Sequence, residues 1–137
     1  MSTQNPPIIL DNLLELCAEA VTSADTLLGH AREHVSARVM KDGRVDGAAL
    51  EAEQIAAHGF AWLATYVETL RQLHAWAERC DASGILGDTE KLILQLGFGE
   101  YCSQIYGGIP LSQVEIIRPR DMGITSAEVH GFFKGAV

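Results

Sequence analysis

Leu10, Leu14, Cys17, Val21, Ala24, Leu28, Ala31 and Val35 follow one another at alternating steps of four and three residues. That spacing keeps a single apolar stripe on one side of an α-helix for over three heptads. Leu13, Ala20 and Leu27 broaden the stripe to the width of a helix packed in a bundle. The charges agree in direction, with Asp11, Glu15, Glu19 and Asp25 early and Arg32, Arg38 and Lys41 late. Each set lies at the helix end whose partial charge it complements. The pattern predicts one helix over about 10 to 41 and an all-α fold around it.

Asp42-Gly43 ends that helix, and Asp46 is placed to cap a second one after a short connection, so the two should run antiparallel. The second helix is expected over about 47 to 80. It carries one row from Ile55 through Gly59, Trp62, Tyr66, Leu73 and Trp76 to Cys80, beside another containing Ala56, Phe60, Leu63, Val67, Leu70, His74 and Ala77. Both helices would approach 50 Å at about 1.5 Å per residue, an elongated hairpin. Gly59 beside Trp62 is a place where another helix can approach closely. After a turn over Asp81 to Gly87, Asp88 or Thr89 can cap a third helix over about 89 to 106. Its expected buried side is Leu92, Leu94, Leu96, Phe98, Tyr101 and Ile105, and Gly97 and Gly99 require a packing reason. Gly107-Gly108 and Pro110 stop it. Leu111 to Ile117 fits either a short helix or an extended segment, and Arg118 to Gly123 reads as a turn. Thr125 and Glu128 form a capping box for a last helix over about 126 to 134. The expected organisation is thus one helical domain over 1–137, with a disordered start at about 1–7.

Composition narrows the function. Ten Lys and Arg against eighteen Asp and Glu give a net charge of −8, which disfavours a nucleic-acid partner because phosphate binding wants a basic face. With 137 residues, 47% of them apolar, the chain can bury a core without disulfides or a structural metal. Cys17, Cys80 and Cys102 are scattered, as reduced core thiols of a cytoplasmic protein would be. The first basic residue is Arg32, which argues against a targeting leader, and Gln54 to Val67 is too short to span a bilayer. No membrane partner is expected.

Candidate chemistry is sparse. His30, Glu33 and His34 spell H-x-x-E-H, the arrangement by which inverted zinc peptidases set two imidazoles on one helical face beside a carboxylate base. His30 and His34 are therefore the candidate metal ligands, but a catalytic zinc needs a third protein ligand that no downstream motif announces. The competing expectation is two surface histidines and no metal. His58 and His74 fall on the apolar side of the second helix, where a neutral imidazole usually bonds a neighbouring backbone group. The cysteines and Trp62, Tyr66 and Trp76 read as core rather than as nucleophiles or a stacking platform. Gly107-Gly108 could offer backbone N–H groups to a phosphate, although nucleotide fingerprints set such glycines before a helix rather than after one.

Two segments add a resemblance. The run Gly97-Phe98-Gly99-Glu100-Tyr101, then Gln104 through Gln113, Glu115-Ile116 and Arg118-Pro119, together with His58 through Arg71, resembles the N-terminal extension of the (2S)-methylsuccinyl-CoA dehydrogenases. These are flavoenzymes of the acyl-CoA dehydrogenase superfamily, and the resemblance extends from Leu10 to about Gly123. Gln104-Ile105-Tyr106-Gly107-Gly108 is also similar to the glutamine-to-double-glycine turn that contacts FAD from the C-terminal bundle of that superfamily, which makes Gln104, Gly107 and Gly108 the candidate cofactor contacts. For the whole enzyme the resemblance implies α-proton abstraction by a glutamate and β-hydride transfer to FAD. The β-domain, flavin pocket and catalytic glutamate of such enzymes have no counterpart here, so neither Glu100 nor Glu115 is assigned as a base and no residue is assigned as catalytic. The implied role is that of a non-catalytic accessory domain with no cofactor of its own, partnered in cis or trans by an FAD-containing acyl-CoA dehydrogenase module. It would support subunit packing, as a homo-oligomer, or the acyl-CoA channel. The alternative is a free-standing helical adaptor that self-associates.

Overall fold

The computed structural model describes residues 8–136. Among them, α1 (Leu13–Val39) leads into a tight hairpin of β1 (Met40–Lys41) and β2 (Arg44–Val45). Helices α2 (Gly47–Ala52), α3 (Gln54–Ala82) and α4 (Asp88–Gly107) follow, then a second hairpin of β3 (Ile109–Pro110) and β4 (Ile116–Ile117). A 3-10 turn (Pro119–Met122) and α5 (Ser126–Ala136) complete the fold. The architecture is mostly α, as the periodicity requires, with two minimal antiparallel hairpins.

Helix α1 begins three residues later than its spacing suggests. The Gln95 side chain accepts from the Leu10 N–H at 2.8 Å and donates to the Ile8 carbonyl at 2.8 Å. Those bonds hold the entering chain against α4, and Asn12 turns through a left-handed conformation before α1 starts. The buried stripe is accordingly Leu13, Cys17, Ala20, Ala24, Leu27, Ala31, Val35 and Val39, while Leu10 is half exposed. The spacing was right and the phase was not: Leu13, Ala20 and Leu27 form the centre, and Leu14, Val21 and Leu28 flank it. At its other end α1 gives way to the hairpin because Asp42 and Gly43 both take positive φ, the conformation that closes a two-residue loop.

Asp46 caps α2 as expected, accepting from the Ala49 N–H at 2.7 Å. The expected single second helix is interrupted at Glu53, whose φ of −105° and ψ of 26° separate α2 from α3. No residue of α2 is buried, so no core contact holds it in line with α3. Helix α3 then runs antiparallel to α1: Arg38 meets Glu53, Asp25 meets Arg71, and the Leu14 carbonyl meets His74. Of its two apolar rows, the one through Ala56, Leu63, Val67, Leu70 and Ala77 is core, whereas Ile55 at the head of the other is exposed. With 27 and 29 residues, α1 and α3 are about 40 and 44 Å long, shorter than their expected spans.

Gly87, not Asp88 or Thr89, is the N-cap of α4, and its N–H donates to Glu90 at 3.0 Å. Leu94, Phe98, Cys102 and Ile105 are the buried side of α4, and Leu96, expected there, is 70% exposed. Gly97 has its packing reason, since a Cβ there would stand 2.6 Å from Leu73 Cδ2; Gly99 has open space. Residues 111–117 resolve in favour of the extended alternative, with Ile109 opposite Ile117 and Pro110 opposite Ile116. That hairpin and the 3-10 turn lie on α3 at Gly59, where Ile117 and Met122 occupy the space a side chain would need. The close approach expected at Gly59 is made by this segment rather than by another helix. Helix α5 lies antiparallel along α1, with Glu128 at His30 and His34 and Gly135 against Ser23, and it buries Phe132.

Candidate functional site

The two histidines of H-x-x-E-H do share a face of α1, and that face receives α5. His34 Nε2 lies 3.1 Å from both oxygens of Glu128, and His30 Nδ1 lies 3.3 Å from Oε1. The same carboxylate accepts from the Thr125 N–H at 2.7 Å and the Thr125 hydroxyl at 2.9 Å, while the Glu128 N–H returns a bond to Thr125 Oγ1 at 3.3 Å. The capping box is present as the sequence indicates. Its carboxylate is held down to about 2, chiefly by the Thr125 N–H, with the Thr125 hydroxyl and His34 adding to the effect against partial burial. Glu33, the residue a peptidase would use as base, is exposed on another side of the helix. Among the described residues no group of three or more His, Cys, Asp or Glu stands so as to hold a metal ion. The arrangement is suited to docking one helix on another.

The remaining candidates disperse. His58 is exposed and accepts from the Trp62 indole N–H at 2.9 Å, so it does not lie on the buried face where its spacing put it. His74 is half-buried, with Nε2 3.2 Å from the Leu14 carbonyl, and the pairing ties α3 to the start of α1. Cys17, Cys80 and Cys102 are free and buried. Burial pushes the Cys17 thiol up to about 12 and the Cys102 thiol up to about 11, the reverse of what a nucleophile needs. Tyr66 packs at 4.7 Å from Tyr101 and edge-on at 6.4 Å from Trp62, bridging α3 and α4.

Gln104, Gly107 and Gly108 are adjacent in sequence but separate in role. Gln104 accepts from the Tyr66 hydroxyl at 2.6 Å and is also bonded to Glu100. Its amide thus ties α4 to α3 through Tyr66. Gly108 is the C-cap of α4 at φ 141°, and the aliphatic stem of Arg118 lies over it. Gly107 borders an open cavity of about 420 Å³ between the end of α4, the 3-10 turn and α5. Tyr106, Arg118, Arg120, Ser126 and His130 also line it. The arginines escaped the sequence reading because they sit in an evident turn; their signal was the Pro119 between them. Pro119 starts the 3-10 turn and favours extended backbone at Arg118, which has φ −104° and ψ 156°.

These observations define an all-α bundle with a helix-docking carboxylate and a cation-lined cavity. No protein-family model matches the chain. Over 116 residues, or 85% of its length, it is 51% identical to a (2S)-methylsuccinyl-CoA dehydrogenase from Cereibacter sphaeroides. The chain spans about a fifth of that relative, 21% of its length, which is consistent with the N-terminal domain indicated by the sequence resemblance. No described helix is long and apolar enough to cross a membrane.

Proposed function

We propose that this chain is a non-catalytic helical accessory domain of an FAD-dependent acyl-CoA dehydrogenase of the methylsuccinyl-CoA type, acting in the cytoplasm. The 51% identity to one-fifth of such an enzyme carries the reading. A catalytic module, in cis or in trans, supplies the flavin and the general base. The domain contributes surface, either to subunit packing in a homo-oligomer or to a wall of the acyl-CoA channel. Large apolar side chains support this role: Leu96 is 70% and Ile93 50% exposed on α4, with Leu10 and Leu16 exposed near the start of α1. Leu10, Leu16 and Phe98 also line an apolar groove of about 320 Å³. Apolar side chains gathered at one end of a small domain are characteristic of interaction surfaces.

The test removes the domain from the full-length dehydrogenase and, separately, introduces Ile93→Asp with Leu96→Asp. Light scattering and the ratio of kcat/KM between branched and straight acyl-CoA substrates are then measured. A change in assembly or in that ratio is expected. If both stay at the parent values, the accessory role is wrong. The same apolar residues also favour the self-associating adaptor. That alternative would be marked by a stable dimer of this chain that captures no flavoprotein.

A further inference from the structure

We infer that the cavity between α4, the 3-10 turn and α5 binds the nucleoside diphosphate portion of a small molecule. This deepens the reading above, because coenzyme A thioesters and flavin dinucleotide both carry an adenosine diphosphate group. The argument begins with charge. In a chain of net charge −8, the cavity lining includes Arg118, Arg120 and His130 and contains no carboxylate. Four other concavities among the described residues, along α1 and its neighbours, each include at least one Asp or Glu. Arg118 makes no side-chain ion pair among the described residues; Arg120 Nε reaches only Asp121, at 3.9 Å. Asp121 accepts from the Arg118 N–H through Oδ2 at 2.8 Å and faces Arg120 through Oδ1, so Arg118 is the guanidinium without an ion pair.

An exposed guanidinium with no ion pair, such as that of Arg118, is well suited to phosphate oxygens, which it grips with paired N–H donors. Pro119 stiffens the backbone that follows Arg118, while the close contact at Gly108 is with Ile116 and the stem of Arg118 lies beside it. The backbone that carries Arg118 is therefore set before a ligand arrives, which lowers the ordering cost of binding. An aromatic surface lies alongside. Tyr106 is 47% and Phe133 39% exposed, with their rings 5.1 Å apart. A nucleobase can stack on such a surface. The volume of about 420 Å³ falls in the usual range for small-molecule sites, about 300 to 1,000 Å³.

The test is calorimetric titration of this chain with ADP, coenzyme A, FAD, pantetheine and inorganic pyrophosphate. Saturable binding of ADP is expected, with pantetheine silent and pyrophosphate at least tenfold weaker. The Arg118→Gln, Arg120→Gln double variant should weaken ADP at least tenfold without lowering Tm, and Tyr106→Ala should weaken it several-fold. Arg32→Gln, in the last third of α1, should leave it unchanged. Tighter binding of coenzyme A than of FAD would assign the site to the acyl carrier, and the reverse order to the flavin. Absence of ADP binding, undiminished binding by the double variant, or pyrophosphate binding as tightly as ADP would each overturn the inference. Because the measurement needs no catalytic module, its failure is distinct from a failure of the accessory-domain reading.

Discussion

Gly59 is where the β3–β4 hairpin and the 3-10 turn rest on α3, and Gly59→Ala measures how tightly. A Cβ at residue 59 would stand 2.5 Å from Ile117 Cγ2 and 3.2 Å from Met122 Cγ. Carbon atoms pack at about 3.5 to 4.0 Å, so a shift of about 1 Å is required. Neither neighbour yields freely, because Ile117 is 6% and Met122 1% exposed, and Ile117 is held in register opposite Ile109. Overpacking of this kind costs about 1 to 3 kcal/mol, while replacing Gly by Ala inside a helix returns about 1 kcal/mol. The net expectation is a loss near 1 kcal/mol, seen as a lower midpoint in urea unfolding. Gly99→Ala is the control, since α4 leaves open space there and the substitution should gain about 0.5 to 1 kcal/mol. A double-mutant cycle with Ile117→Ala isolates the clash, because removing the Ile117 side chain should make Gly59→Ala neutral or stabilising. If Gly59→Ala stabilises as much as Gly99→Ala, or the cycle yields less than about 0.5 kcal/mol of coupling, the close-approach argument is wrong.

Glu128 should make stability pH-dependent in a defined window. Its carboxyl is held at about 2 in the folded protein against an ordinary value of 4.5, so its contribution is complete above pH 4.5 and is lost as pH falls toward 2. The gap between wild type and E128Q, about 0.5 to 2 kcal/mol at pH 6 for a lost cap, should close over that range in urea melts, and a gap independent of pH would contradict it. Leu73→Ala should relieve the tight contact at Gly97, so that Gly97→Ala, unfavourable alone, becomes tolerated in that background; thermal melts of the single and double variants check this. Cys17 and Cys102 should resist an aromatic disulfide reagent at pH 8 in the native protein and react fully in urea, because burial keeps both as thiols. Rapid native modification would refute their core placement.

What could be read from the sequence is what local spacing controls. Periodicity located α1, α3 and α4, Asp46 marked the cap of α2, and Thr125 with Glu128 marked the start of α5. What could not be read depends on residues far away in the chain. Gln95 captures Ile8 and Leu10 across 87 and 85 positions, so α1 starts at Leu13 rather than at Leu10. No periodicity of the first helix reports that contact. His30 and His34 were legible as one face, but their partner lies 94 residues beyond His34. A motif that resembles a peptidase site is therefore completed by a helix cap. The cavity draws on the end of α4, the 3-10 turn and α5, none of which holds enough of it to leave a recognisable pattern.

Helix α5 connects the two parts of the site. At about 100° per residue, Glu128 and His130 are some 200° apart around its axis. One side therefore faces α1 through Glu128, and the opposite side faces the cavity through Ser126 and His130. Turning its one first-turn carboxylate toward the histidines is also what leaves the cavity lining free of negative charge. E128Q removes a charge that reaches no proposed ligand atom, so a purely local role predicts unchanged ADP binding at pH 7. If the carboxylate sets the seating of α5, binding should weaken several-fold while R118Q and R120Q retain their larger effect. Unchanged binding alongside a lowered Tm would instead assign the seating of α5 to Phe132, which is 2% exposed, and restrict Glu128 to stability.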